Sequence, residues 1–368
     1  MKILQIVPAM EQGGVERGVV EVNRAIVSAG WENVVVSAGG RLAAVIEQDG
    51  SRHIELDVKS KNPFTFFSRA YALEKLLERE MPDAVCVHSR VPAWLFLRAN
   101  RKLALKWISF AHGANSVSAY SRVMTRGDLV VAPSGYIARY LAENYDFDLS
   151  KIRVIPRAID SGAFDPDRLD AGFIGLKRRE WKTDGKFIVM ALGRITQLKG
   201  YDTLIRAVSR LPERYRLVIV GEAERLRKDV ELSLRALAES LGAADRVVFA
   251  GNQSKVAECI SIADVVVSSN TRKPEAFGRS MAEALAMDRP VIAKAFGGAL
   301  DVVRDGVDGV LVKGDGEIPA EDEFADAIRR VSEMKFSGLR RSALERFAFD
   351  SMLEKSLAVY RELAGGNK

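Results

Sequence analysis

The chain has 368 residues, 48% hydrophobic and 28% charged, which excludes a disordered polymer and allows two domains at roughly 100–200 residues each. Its two cysteines, Cys86 and Cys259, lie far apart with no C-x-x-C spacing, which excludes a disulfide framework and fits a reducing cytoplasm. No run approaches the ~18 consecutive apolar residues of a membrane span, and the opening MKILQIVPAMEQGG, with Glu11 inside it, reads as a strand and its loop rather than a signal peptide.

In chain order, short β-branched runs alternate with amphipathic segments. Ile3–Val7, Val34–Ser37, Ala84–His88, Trp107–Ala111 and Leu129–Ala132 read as strands, and Arg69–Arg79 has helical spacing. The polar stretch from Ser161 to Lys186 reads as a linker, so the first domain is expected over 1–165 and the second over 166–350. A second strand series follows: Phe187–Leu192, Leu217–Val220, Val247–Ala250, Val265–Ser268, Val291–Lys294 and Val310–Val312. Ala257–Ile262 and a terminal segment over 351–363, with Ser351 and Glu354 at capping-box spacing, read as helices. Continuous apolar strands spaced by helices predict α/β architecture: two doubly wound parallel sheets, each opening with a strand and a glycine-containing loop. Such halves present their strand ends to a shared cleft.

The net charge of +6 is unevenly spread. Between Ala84 and Gly127 there is no Asp or Glu, while Arg90, Arg98, Arg101, Lys102, Lys106, Arg122 and Arg126 all fall there, beside the apolar run Trp94-Leu95-Phe96-Leu97. That pattern suits either a solvated basic face or a surface for an anionic membrane. Nucleic acid is not expected, because no binding motif or aromatic interleaving accompanies the basic residues. The D-x-D pairs Asp146–Asp148 and Asp165–Asp167 read as turns, His53, His88 and His112 lack ligand spacing, and no metal or cofactor is expected.

The most informative segment is Pro274-Glu275-Ala276-Phe277-Gly278-Arg279-Ser280-Met281-Ala282-Glu283, with two carboxylates eight positions apart across a loop glycine and a helix start. A helix N-terminus with a glycine beside it favours an anion. The segment resembles the E-x7-E signature of retaining glycosyltransferases of family 4, which have the two-domain GT-B fold. Leu192-Gly193-Arg194 with Lys199-Gly200-Tyr201, Leu217-Val218-Ile219-Val220-Gly221, Arg289-Pro290, Gly297-Gly298 and Gly309-Val310-Leu311-Val312 continue the family pattern in order. In the first half, Gly13-Gly14-Val15-Glu16-Arg17 resembles its first loop and Ala111-His112-Gly113 its active-site histidine.

The resemblance implies an enzyme that moves a sugar from a nucleoside diphosphate to a glycan or glycolipid without a metal. With the cytoplasmic assignment from the cysteines and the basic stretch that suits the inner face of a membrane, it suggests lipopolysaccharide or other cell-envelope synthesis. Under it Arg194 and Lys199 neutralise the leaving phosphates, Glu275 holds the donor sugar, Glu283 the ribose, and His112 orients the sugar. Gly13, Gly14 and Gly193 allow close approach, and Ala276, Phe277 and Gly278 act through backbone N–H groups. The terminal helix is implied to pack back on the first domain. Three departures stand out: Pro156-Arg157-Ala158 where Pro-Asn-Gly is usual, Asp288 where glycine is usual before Arg289-Pro290, and Asp301 where glutamate is frequent. A nucleotide-sugar epimerase of the same fold and a non-catalytic nucleotide-sugar binder remain as alternatives.

Overall fold

The computed structural model describes residues 1–11, 13–224, 227–270, 272–314 and 319–365. The chain divides into two units, unit 1 being Met1–Ala158 with Phe349–Lys368, and unit 2 being Ile159–Ala348. The crossover falls at 158/159 rather than 165/166, because Ile159 N donates to Phe347 O (2.8 Å) and Ile159 bridges Ala348 in parallel.

Unit 1 carries seven strands: β1 (Lys2–Ile6), β2 (Glu32–Ser37), β3 (Arg52–Glu55), β4 (Ala84–Val87), β5 (Trp107–Phe110), β6 (Leu129–Ala132) and β7 (Ile152–Val154). Their order is β3-β2-β1-β4-β5-β6-β7, all parallel. Unit 2 carries β8 (Phe187–Leu192), β9 (Tyr215–Val220), β10 (Val247–Gly251), β11 (Val265–Ser268), β12 (Val291–Lys294) and β13 (Gly309–Val312), ordered β10-β9-β8-β11-β12-β13, again parallel. In each sheet the winding reverses once, between β1 and β4 and between β8 and β11. Loops leaving the carboxyl ends at such a reversal diverge to opposite faces and leave a crevice for ligands.

Both faces of each sheet are covered, which is why the strands are continuously apolar. Along β8, Ile188, Met190 and Leu192 enter one core layer and Val189 and Ala191 the other. In unit 1 the helix Phe349–Gly365 closes one face, burying Met352, Leu357, Tyr360 and Leu363 against Ile3, Cys86, Ile108 and Phe110. Ser351 therefore lies inside that helix, two residues past its start, and is not its cap.

The stretch read as a linker is more ordered than expected. It holds a helix, Ala171–Glu180, whose N-cap Asp170 accepts from Phe173 N (3.0 Å), followed by Trp181, buried in the unit 2 core. Asp148 and Asp165 cap short 3₁₀ turns and Asp146 takes a left-handed φ of 51°, so both D-x-D pairs serve the backbone. Asp288 adopts φ 52° just after the helix Arg279–Ala286 and accepts from Arg340 N (2.8 Å), supplying the stop that glycine would otherwise give.

Candidate active site

In unit 2 the loops that follow β8 and β11, the two strands at the winding reversal, bring together Lys199 and Glu275 of the residues singled out in the sequence. The loop after β8 is pinned first: Gly193 N donates to Val220 O (3.0 Å), and Tyr201 Oη donates to Gly193 O (2.9 Å). A Cβ on Gly193 would lie 3.3 Å from Lys199 Cε, so the bare backbone lets the lysine stem fold over the strand end. Ser269 Oγ, at the end of β11, donates to Lys199 O (2.8 Å) and ties the two loops together.

Lys199 Nζ donates to Glu275 Oε1, and Asn270 Nδ2 donates to the same oxygen at 2.8 Å. Glu275 is itself fixed by its backbone, since Gly298 N donates to Glu275 O (2.7 Å) and Gly297 bridges the same residue. The carboxylate and ammonium are each about a quarter exposed, so a ligand entering here meets a preformed ion pair. Arg194 stands apart from that pair: its guanidinium is 75% exposed and meets Glu224 Oε1 at 2.6 Å. Exposed pairs of this kind contribute only ~0–1 kcal/mol, so Glu224 is an easily displaced partner for an incoming anion.

The turn after Glu275 has an evident physical design. Gly278, at φ +99°, ends the loop in a conformation that side chains disfavour and starts the helix Arg279–Ala286. Ala276 is half-buried there, while the Phe277 ring packs edge-on against Phe347 (5.4 Å between centroids) in the core rather than facing a ligand. Glu283 lies one turn into the helix, nearly buried, and accepts from Arg279 Nε (3.2 Å).

In unit 1, His112 follows β5 and His88 follows β4, which pairs with β1 at the other winding reversal. The two imidazoles stack with centroids 5.2 Å apart and share a hydrogen bond, His88 Nδ1 to His112 Nε2, at 3.0 Å. His88 Nε2 meets Gln5 Oε1 at 3.1 Å, and Arg157 Nη2 meets His112 Nδ1. Burial, then the neighbouring Arg157 charge, pushes the His88 imidazole down to about 3. Burial, Arg157 and His88, in that order, hold His112 well below its ordinary range. Both rings are therefore neutral near pH 7. Gly13 and Gly14 open the helix Gly14–Ser28; Gly13 is extended, and a Cβ on Gly14 would meet nothing within 4 Å. No backbone strain demands either glycine; Gly14 leaves open space, whereas a Cβ on Gly13 would lie 2.5 Å from Glu16 Oε2.

Two family models match the chain: Glycosyltransferase Family 4 over residues 12–162 and Glycosyl transferases group 1 over residues 175–347. The chain belongs to this family of glycosyltransferases. Among curated relatives, the D-inositol 3-phosphate glycosyltransferase of Xylanimonas cellulosilytica is 34% identical over 250 residues, which is 66% of this chain and 58% of that protein. The one from Acidothermus cellulolyticus is 34% identical over 265 residues, covering 66% of this chain and 56% of that protein. The chain thus spans little more than half the length of these relatives. Among solved structures, a glycosyltransferase from Rickettsia africae ESF-5 superposes with a TM-score of 0.87 at 27% identity, covering 100% of this chain and 99% of that one. The Anabaena protein Alr3699/HepE, solved in complex with UDP-glucose, shares the fold with a TM-score of 0.81 at 20% identity, covering 98% of this chain and 100% of that one.

Within that family frame, the positions that sequence reasoning missed are the partners. Asn270, Ser269 and Tyr201 shape the Lys199–Glu275 pair, and Gln5, His88 and Arg157 surround His112. Arg157 was visible as a departure from the family pattern, and Gln5 as the one polar residue within the apolar run Ile3–Val7. The ordering of motifs carries no information about which loops touch.

Proposed function

We propose that the chain is a retaining glycosyltransferase that moves a sugar from a nucleoside diphosphate onto an acceptor hydroxyl. The observation that carries this reading is the Lys199–Glu275–Asn270 cluster at the β8/β11 reversal, next to the N-terminus of the helix Arg279–Ala286. A nucleoside diphosphate leaves as a weak base, so its departure needs positive charge rather than a protonating acid. In this reading Lys199 and Arg194 supply that charge, Glu275 accepts from sugar hydroxyls, and Glu283 accepts from the ribose. The helix N-terminus adds fixed partial charge for the phosphates.

The acceptor classes are a glycan or glycolipid of the cell envelope, as the resemblance implies, and a phosphorylated polyol, which the relatives' names add. A thermal-shift panel with UDP, GDP, ADP and their sugars, with and without EDTA, tests the donor half. At a hundred times Kd a bound nucleotide adds about 2.7 kcal/mol of apparent stability, so one base should stand out. A folded protein that shifts with none of them removes the reading.

A peripheral contact with an anionic membrane is favoured by one surface of unit 1. Of the run Trp94–Leu97, Leu95 and Phe96 are fully buried and Trp94 lines this surface. The most exposed aromatics are Phe64 and Phe67, 94% and 67% accessible, beside a groove of about 520 Å³ lined by Pro63, Phe66, Phe67, Trp94 and Tyr120. Arg98 lies over the Phe67 ring (5.9 Å), Arg90 over Tyr120 (5.6 Å) and Arg126 over Trp94 (5.8 Å). Aromatic tips rimmed by cations match an anionic interface. No helix among the described residues is long and apolar enough to cross a membrane. Co-sedimentation with phosphatidylglycerol vesicles should exceed that with phosphatidylcholine, and Phe64→Ser with Phe67→Ser should abolish the excess. Equal recovery on both lipids would sink the idea.

A further inference from the structure

The hydrogen bonds around His112 run in one direction only. Gln5 Oε1 is a carbonyl oxygen and accepts, so His88 carries its proton on Nε2 and presents a lone pair at Nδ1. His112 Nε2–H must donate to that lone pair, which leaves His112 Nδ1 as an acceptor facing the Arg157 guanidinium. Beyond Gln5 the sense continues inward: Gln5 Nε2 donates to Asn33 Oδ1 (3.4 Å) and Asn33 Nδ2 donates to Asn23 Oδ1 (2.7 Å). Gln5, Asn33 and Asn23 are buried and His88 nearly so, which anchors the far end of the chain in the core. Both ring nitrogens of His112 are thereby engaged inside unit 1. A sugar hydroxyl reaches one of them only by displacing Arg157 or His88.

The seat of Arg157 is built on a missing side chain. A Cβ on Gly18, in the helix Gly14–Ser28, would lie 2.1 Å from Arg157 Nη1 and 3.0 Å from Cζ. Arg157 itself stands where asparagine is usual in the pattern the chain resembles. The same pocket is lined by Glu21 from that helix and by Met352 and Ser356 from the helix Phe349–Gly365.

We infer that Arg157 is a positioning residue: seated against Gly18, it holds His112 in a single tautomer and orientation for sugar transfer. This rests on the glycosyltransferase reading above. The charged and titratable groups at the ring are Arg157 from the segment after β7, His88 from the end of β4 and Glu21 from the helix Gly14–Ser28. Removing the guanidinium both frees the ring to turn and removes a positive neighbour that disfavours its protonation.

The test uses the full chain and three variants. Arg157→Ala is expected to lower kcat by roughly ten- to hundredfold, the worth of a charged hydrogen bond, with little change in the nucleotide-sugar KM. The acid limb of its pH–rate profile should move to higher pH. Gly18→Ala is expected to reproduce both effects by evicting the guanidinium, although alanine is the better helix former and should not unfold the helix. Arg157→Lys should restore part of kcat by returning the charge and one donor. Alongside, the His112 ring resonance, assigned with His112→Gln, should titrate at higher pH in Arg157→Ala than in the parent. Parental kcat and pH profile in Arg157→Ala, or in Gly18→Ala, would overturn the inference, as would an unmoved His112 titration. If the parent transfers no sugar from any nucleotide, the functional reading fails, while the titration still decides what Arg157 does to His112.

Discussion

Lys199→Ala should lower the rate of sugar transfer by about 10²–10³ while leaving the fold intact. Lys199 is about a quarter exposed, its backbone is held by Ser269 and its ammonium by Glu275, so its position is fixed before any ligand arrives. A preorganised charge aimed at a leaving group is worth far more than a mobile one, because no reorganisation accompanies the reaction. Arg194, 75% exposed and paired with Glu224, should matter less, and Arg194→Ala is expected to fall short of the Lys199 effect. Glu275→Gln provides the companion measurement, since it keeps the hydrogen-bonding shape and removes the charge that Lys199 neutralises. Steady-state kinetics on the nucleotide sugar identified by thermal shift read all three. A Lys199→Ala enzyme at the parental rate would remove the phosphate role from this residue.

The second large effect is on stability against pH. His88 titrates at about 3 in the folded protein and near 6.5 when unfolded. Its folded value is depressed, so its contribution is fully present above pH 6.5 and is lost as pH falls from there through about 3. The slope approaches about 1.4 kcal/mol per pH unit inside that window. Between pH 7 and pH 5 His88 alone accounts for about 2 kcal/mol, and His112, depressed for the same reasons, acts in the same direction. Three of the four tryptophans, Trp31, Trp94 and Trp107, lie in unit 1, so urea unfolding followed by fluorescence reports mainly on the unit that holds both histidines. The parent should lose about 2 kcal/mol more than His88→Gln over this range. Parallel losses in the two proteins would mean that His88 is solvated in the native state.

The fold was legible wherever burial governs the residue type. All eleven strands read from the sequence are present, with ends shifted by at most two residues, because strands covered on both faces are apolar throughout; they include β10 and β13, the outermost strands of the unit 2 sheet, which still carry apolar runs. The two that went unread, β3 and β7, are the outermost strands of the unit 1 sheet. Edge strands are half solvated, and Arg52-His53-Ile54-Glu55 and Ile152-Arg153-Val154 carry no apolar run to find. The helix Ala171–Glu180 went unread for a related reason: none of its residues is fully buried, so its composition looks like a linker.

Legibility of the site followed the same division. Glu275, Lys199 and Arg194 were visible as an ordered set, but nothing along the chain says that Lys199 meets Glu275 while Arg194 meets Glu224. Those pairings depend on the loops after β8, β9 and β11, whose approach is a tertiary property. The role implied for His112 is the clearest case. A histidine after a strand is by itself more often structural and only the family resemblance implies a sugar contact for it, whereas the folded chain gives both of its nitrogens to Arg157 and His88.

One feature of the architecture bears on how the chain is made. Unit 1 is interrupted: its sheet is encoded before residue 159 and one of its covering helices after residue 348. During synthesis the sheet face formed by Ile3, Cys86, Ile108 and Phe110 emerges long before Tyr360 and Leu363, which cover it. At about 5–20 residues per second, the roughly 190 residues of unit 2 alone impose a delay on the order of 10–40 s. Through that interval an apolar surface stands uncovered at the ribosome while unit 2 folds behind it, making the nascent chain a client for holdase chaperones and sensitive to anything that slows its last stretch.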